Sequence, residues 1–187
     1  MYRCKTLLPI KYRKMFANAL MLPIFDYLDI IYSKSNRAGL NDLDVLYKKV
    51  GKIALDVPIR ESSMVVYRDM GWLPLHLRRQ VHLTAYMFRI LKGNSPSNFA
   101  DKFQYVSGNS RGANNGNLYI TRSDTLKDFK YIGAKCWNSV PKVLRGFTDV
   151  KLFSKVLKDR LLASIQENTN YKVDNLFSRV YQLPISD

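Results

Sequence analysis

The 187-residue chain is 47% hydrophobic and 12% aromatic, which excludes a disordered polyelectrolyte and supplies enough apolar mass for an ordinary core. Thirty Lys and Arg stand against fifteen Asp and Glu, a formal net charge of +15 and a pI near 9.9. That field attracts polyanions, so nucleic acid is the expected partner, ahead of an anionic membrane surface.

No apolar run approaches the ~20 residues of a spanning helix. The start, Met1-Tyr2-Arg3-Cys4-Lys5, lacks the apolar region of a signal peptide. The expectation is a soluble intracellular chain, nuclear or cytoplasmic. Cys4 and Cys136 are far apart and lack metal-ligand spacing, as reduced thiols of an intracellular protein would.

In chain order, Pro9 suits the first turn of a helix that runs from Ile10 to Leu22, where Pro23 kinks or restarts it. Phe25, Leu28, Ile31 and Tyr32 return at helical spacing. Residues 36–41 read as a polar link containing Gly39. Leu43, Leu46, Val50 and Ile53 then follow the 3-4-3 rhythm of one helix face, stopped by Pro58. A shorter helix over 61–69 ends at Gly71. The clearest helix spans about 74–91, opened by Pro74 and closed by Gly93, with Leu77, Val81, Thr84, Phe88 and Leu91 on one face.

Residues 104–117 concentrate Gly and Asn and read as a loop. A short strand is expected over 118–121. The Trp137-Asn138-Ser139-Val140-Pro141 block reads as a helix ended before its proline. A final amphipathic helix over 149–163 turns Phe153, Val156, Leu157 and Leu161 inward and Lys151, Lys155 and Lys158 outward. The fold class is therefore mainly α: a compact helical bundle with a short β/loop segment near 104–131 and a C-terminal basic helix. The expected organisation is a helical region 1–103, a loop-rich linker 104–130, a block with its basic helix 131–163, and a polar tail 164–187.

Three blocks carry a resemblance. Phe129-Lys130-Tyr131 through Trp137-Asn138-Ser139-Val140-Pro141, closed by Arg145 and a basic helix, is similar to the C-terminal end of reverse transcriptases from jockey-like non-LTR retrotransposons. Leu22-Pro23-Ile24-Phe25-Asp26-Tyr27 resembles a segment of the thumb that follows the palm in that family. Gly71-Trp72-Leu73-Pro74-Leu75, leading into Arg78-Arg79, lies between them in the expected order. Together the blocks cover roughly residues 7–162.

The resemblance implies a thumb-like helical fold that holds a template–primer duplex or target DNA by its backbone, with element RNA, DNA or an RNA/DNA hybrid as ligand. It also implies that the catalytic aspartates belong to a palm upstream of these blocks. The chain is then expected not to be an enzyme, and an intact polymerase palm acting in trans is a further partner. No membrane and no small-molecule substrate is expected.

Chemistry of its own finds little support in the sequence. Asp26 and Asp29 fall on one side of a helix, which suits a two-metal site or a salt-bridged helix end. Asp42/Asp44 and Asp124/Asp128 are the other close pairs. No phosphate-binding Gly-rich loop and no nucleophile elbow is present. His76 and His82 lie about 120° apart on a helix and would not converge on one metal. Cys136, between Lys135 and Trp137, reads as a buried inert thiol. No cofactor, metal or catalytic residue is expected.

Phosphate binding has candidates. The 74–92 helix offers Arg78, Arg79, His82, Arg89 and Lys92; the preceding helix offers Lys48, Lys49 and Lys52; the last helix offers Lys151, Lys155 and Lys158. Two other function classes remain open. One is a non-enzymatic interaction protein that self-associates through Phe16, Leu20 and the Leu22–Tyr27 segment, or a remnant without function. The other is a small nucleic-acid enzyme working through Asp26 or Asp29.

Overall fold

The structure, a computed structural model, describes residues 8–32, 36–93, 97–120 and 129–167. Cys4, the Asp124/Asp128 pair, Thr121 of the expected strand and the tail beyond Glu167 lie outside the described residues. The described chain is mainly helical: α1 (Ile10–Phe16), a π-helical turn (Ala17–Met21), α2 (Leu22–Asp26), α3 (Asp29–Tyr32), α4 (Arg37–Leu55), α5 (Met64–Asp69), α6 (Leu75–Leu91), α7 (Ser97–Ala100), α8 (Arg111–Asn114), α9 (Phe129–Asn138), α10 (Lys142–Arg145) and α11 (Val150–Glu167). It divides into two compact units, 1–79 and 80–187, each with its own interior.

In the first unit, α1 runs into a π turn and α2 restarts at Leu22 with Pro23 in its first turn, the second of the two expected outcomes. Proline lacks an N–H and crowds the preceding turn; widening that turn removes the clash. The chain breaks four residues later, at Tyr27 (ψ 117) and Leu28 (φ 54). Leu28 and Ile31 are consequently exposed, contrary to the helical spacing read from the sequence, and Phe25 alone of that series is buried.

Residues 36–41 are not a link. Asn36 caps α4 by accepting from the Gly39 N–H at 2.8 Å, so the helix starts at Arg37. The buried face of α4 is also rotated from the expected stripe. Tyr47, Val50, Gly51, Ala54 and Leu55 are buried, whereas Leu46 is 52% exposed. Tyr47 sets this register. Its ring packs edge-on against Phe25 at 5.2 Å and against Trp72 at 4.8 Å, and its hydroxyl donates to the Leu73 carbonyl at 2.7 Å. Gly51 lets α4 and α5 approach closely, since a Cβ there would collide with Val66.

The Gly71-Trp72-Leu73-Pro74 block turns the chain from α5 into α6. Gly71 takes φ +63, open to glycine without strain, and the Trp72 indole N–H donates to the Asn18 side chain at 2.7 Å. Lys14 donates to the Asp69 carbonyl at 3.0 Å, satisfying one of the orphan acceptors at the end of α5.

His76 is buried among cations. Burial, then the Arg79 and Lys48 charges, lower its pKa from 6.5 to about 3. The unfolded chain therefore binds one more proton between those values. Stability from the neutral ring is complete above pH 6.5 and is lost as pH falls toward 3. The urea midpoint of the wild type should correspond to about 2 kcal/mol less stability at pH 4.5 than at pH 7 from this group. His76→Gln should flatten that slope; parallel pH profiles for the two proteins would reject the assignment.

In the second unit, Phe88 of α6 stacks on Phe153 of α11 with ring centres 4.6 Å apart, and Trp137 of α9 lies 6.4 Å from Phe88. Phe153, Leu157, Leu161 and Ile165 of α11 are wholly buried. The helix thus runs beyond the expected end at 163, because Ile165 extends the same stripe. Gly133 lets α9 approach Met87, whose sulfur would sit 2.6 Å from an added Cβ.

The expected strand at 118–121 does not form among the described residues. Leu118 instead makes one antiparallel bridge to Tyr105. The expected loop over 104–117 is a ribbon around α8. Val106 N–H donates to the Asn117 carbonyl and Tyr119 N–H to the Gln104 carbonyl, both at 2.8 Å.

Candidate nucleic-acid interface

The residues expected to hold phosphate separate into two groups once packing is known. Arg78 is part-buried and held by Asp26 in a two-pronged pair, Nε to Oδ1 at 2.5 Å and Nη2 to Oδ2 at 2.6 Å. Burial works against the Arg78 charge, and the hydrogen-bonded Asp26 carboxylate more than offsets it, so its pKa stands above the usual arginine value. Arg79 is 7% exposed and lies over the Tyr32 ring at 5.7 Å. The donor ladder read along the 74–92 helix therefore starts with two arginines turned to the interior. Reversing Arg78 would attack the fold before any ligand.

The first lysine cluster divides in the same way. Lys48 pairs with buried Asp44 one turn earlier. Lys52 is buried and donates to the Ile59 carbonyl at 2.8 Å and to the Glu61 carbonyl, tying down the loop after α4. Burial, with Lys48 close by, pushes the Lys52 pKa down. Only Lys49 of the three is exposed. Helical periodicity placed these residues off the apolar stripe; the rotation of α4 by Tyr47 carries Asp44 and Lys52 inward.

Four of the remaining six candidates keep their solvent positions. In the second unit, Arg89 and Lys92 at the end of α6 are exposed, as are Lys151 and Lys155 on α11. His82 and Lys158 are half-buried. The Lys92 ammonium stands 5.7 Å from the centre of the Phe88 ring, the ring that stacks on Phe153. An exposed cation is thus fixed where α6 meets α11.

Sequence reading missed Lys102, Arg111 and Lys142, all exposed in the second unit. The signal was available: 102–120 and 129–148 contain no Asp or Glu. The fold joins these two acid-free segments. The Asn138 side chain accepts from the Leu118 N–H at 2.7 Å and donates to the Leu118 carbonyl at 2.9 Å, replacing a neighbouring strand. Arg145 reaches the other side of the ribbon, donating to the carbonyls of Asn115 at 2.6 Å and Gly116 at 3.1 Å and to Asn117 Oδ1 at 2.9 Å.

The acid/base candidates change meaning as well. Asp26 is engaged by Arg78, and Asp29 is 4% exposed. Cys136 is fully buried, and burial pushes its thiol up to about 12, which keeps it protonated and unreactive at neutral pH. No helix among the described residues is long and apolar enough to cross a membrane. Comparison with protein-family models, with curated proteins and with solved structures finds no match to this chain.

Proposed function

We propose that this chain is a nucleic-acid-binding protein that holds RNA, DNA or a hybrid by its phosphates and has no catalytic centre of its own, in keeping with the thumb and C-terminal region of a non-LTR retrotransposon reverse transcriptase. The observation that carries the reading is a twofold excess of base over acid whose exposed members include Arg89 and Lys92 at the end of α6 and Lys151 and Lys155 on α11, all in one unit. Phosphate contacts of this kind hold any sequence, as a polymerase thumb must.

A salt series tests it. Binding to RNA/DNA hybrid, duplex DNA or single-stranded RNA through about four to six phosphates gives a logarithmic salt slope near −4 to −5 on B-DNA. Replacing Arg89, Lys92, Lys151 and Lys155 together by Glu should reduce affinity at least ~10-fold and flatten the slope by about four, with the melting temperature nearly unchanged. Affinity within twofold of wild type would remove these helices from the interface.

A second reading has its own observation. Met15, Phe16, Leu20, Ile24, Tyr27 and Ile31 are exposed large apolar side chains along 15–31, and a surface of this kind favours self-association. Concentration-dependent oligomers without affinity for nucleic acid would select that reading over the first.

A further inference from the structure

Tyr105 and Tyr119 are each 54% exposed, and they occupy neighbouring positions on the two edges of the ribbon. Single exposed tyrosines need no explanation. These two differ in their surroundings. The backbone bonds from Val106 to Asn117 and from Tyr119 to Gln104 flank the Tyr105–Leu118 pair on both sides, so the edges cannot slip. Below the ribbon, Leu118 is buried and its amide is held by Asn138, while Arg145 fixes the carbonyls of 115 and 116. Gly108 and Gly116, at φ +93 and +65, supply the turns that close it. A loop anchored in this way presents its rings with little entropy left to lose on binding.

The chemistry around the rings is cationic and rich in hydrogen-bonding groups. Arg111 is exposed on the ribbon, Lys102 is exposed two residues before it with its ammonium 5.5 Å from the centre of the Phe99 ring, and Lys142 is exposed in the segment joined to it. Ser107, Asn109 and Asn114 are exposed as well. Asp101 precedes the segment, and the 121–128 stretch balances Asp124 and Asp128 with Arg122 and Lys127. A ligand that suits this surface is an anion with flat, polar-edged rings.

We infer that the 104–119 ribbon is a binding site for unpaired nucleotides, in which Tyr105 and Tyr119 each stack a base while Lys102 and Arg111 meet the phosphates. The inference rests on the proposed nucleic-acid function and specifies one part of it. Successive residues of an extended strand point to opposite faces, and paired residues share a face. Tyr105 therefore shares the face of Leu118, and Tyr119 takes the other. The site would hold two bases splayed apart, not a continuous stack, which is how unpaired RNA is commonly read. A duplex, with its bases already stacked on one another, offers neither ring a partner.

The test compares Tyr105→Ala, Tyr119→Ala and the two Tyr→Phe variants for binding to oligouridylate, oligothymidylate and a mixed-sequence duplex, each about 15 nucleotides long, a length that covers one single-strand site. Each alanine variant should lose roughly fivefold or more for the single strands, the phenylalanine variants should stay within about twofold, and duplex binding should not change. Because the rings share no face, the two losses should multiply in the double variant. Photo-crosslinking of wild-type protein to a 4-thiouridine oligonucleotide should mark Tyr105 or Tyr119, a readout independent of variant folding. Uridylate and thymidylate arms separate an RNA site from one that accepts either strand. Single-strand binding that survives both alanine variants, with crosslinks elsewhere, overturns the ribbon site and leaves the phosphate grip standing. No binding to any of the three probes overturns both.

Discussion

Arg78→Glu should cost about 4 kcal/mol or more and lower the melting temperature by roughly 8–16 °C, in contrast to the same change at Arg89. Arg78 and Asp26 are 13% and 27% exposed, and they meet through two short, parallel hydrogen bonds. Removing the guanidinium leaves a part-buried carboxylate without its fork, and a glutamate in its place adds a second negative charge. Asp29, 4% exposed, also acts on Arg78 and would oppose the new charge. Arg78→Met removes the charge without repulsion and should cost less, about 2–3 kcal/mol. Asp26→Lys combined with Arg78→Glu restores opposite signs and should recover part of the loss. Chemical denaturation followed by the fluorescence of the two buried tryptophans, Trp72 and Trp137, measures all three. An Arg78→Glu protein that melts within 2 °C of wild type would return this arginine to the surface and to the ligand.

The contrast between Arg78 and Arg89 shows where sequence reading reaches its limit. Both lie on one helix, off its main apolar stripe, and periodicity cannot separate them. What separates them is a carboxylate 52 residues earlier, positioned by a helix that crosses Pro23 through a π turn. Helices with strong end signals were legible: α6 between Pro74 and Gly93, α9 before Pro141, and α11 with its stripe from Phe153. So was the predominance of helix. The face of α4 was not legible, because Tyr47 and Trp72 bury more apolar area than Leu46 and draw the helix round toward them. The ribbon reads in the sequence as a loop over 104–117 and a separate strand from 118, because its order comes from Asn138 and Arg145, side chains 20 or more positions away. Its acid-free composition was visible throughout. Long-range polar contacts, in short, decided which basic residues face water.

Arg145 concentrates these long-range contacts, and replacing it should have an effect comparable to that of Arg78→Glu. Beyond its three bonds to the ribbon, Nε donates to the Val140 carbonyl at 2.8 Å and Nη2 to the Asn138 carbonyl at 3.0 Å. The guanidinium carbon lies 5.6 Å from the centre of the buried Trp137 ring. One planar group thus links the end of α9, the loop before α10 and the ribbon, which accounts for an arginine eight residues after the tryptophan. Arg145→Ala leaves several carbonyls without their donor and should cost about 4 kcal/mol, less than the sum of separate charged bonds because they share one group.

Arg145→Lys is the sharper variant. Lysine keeps the charge, but its compact ammonium cannot span acceptors on three segments or lie flat on the indole. If Arg145 acts as a clamp, lysine should lose most of what alanine loses, about 3 kcal/mol, and amide exchange across 104–119 should accelerate more than exchange in α6. If Arg145 acts as a phosphate ligand, lysine should keep the stability and most of the affinity. The first outcome makes the Trp-Asn-x-Val-Pro…Arg pattern a device for holding the ribbon in shape, with ligand contact left to side chains that the clamp positions. The second would place the arginine itself at the interface and leave the order of the ribbon to Asn138 and the backbone bonds across it.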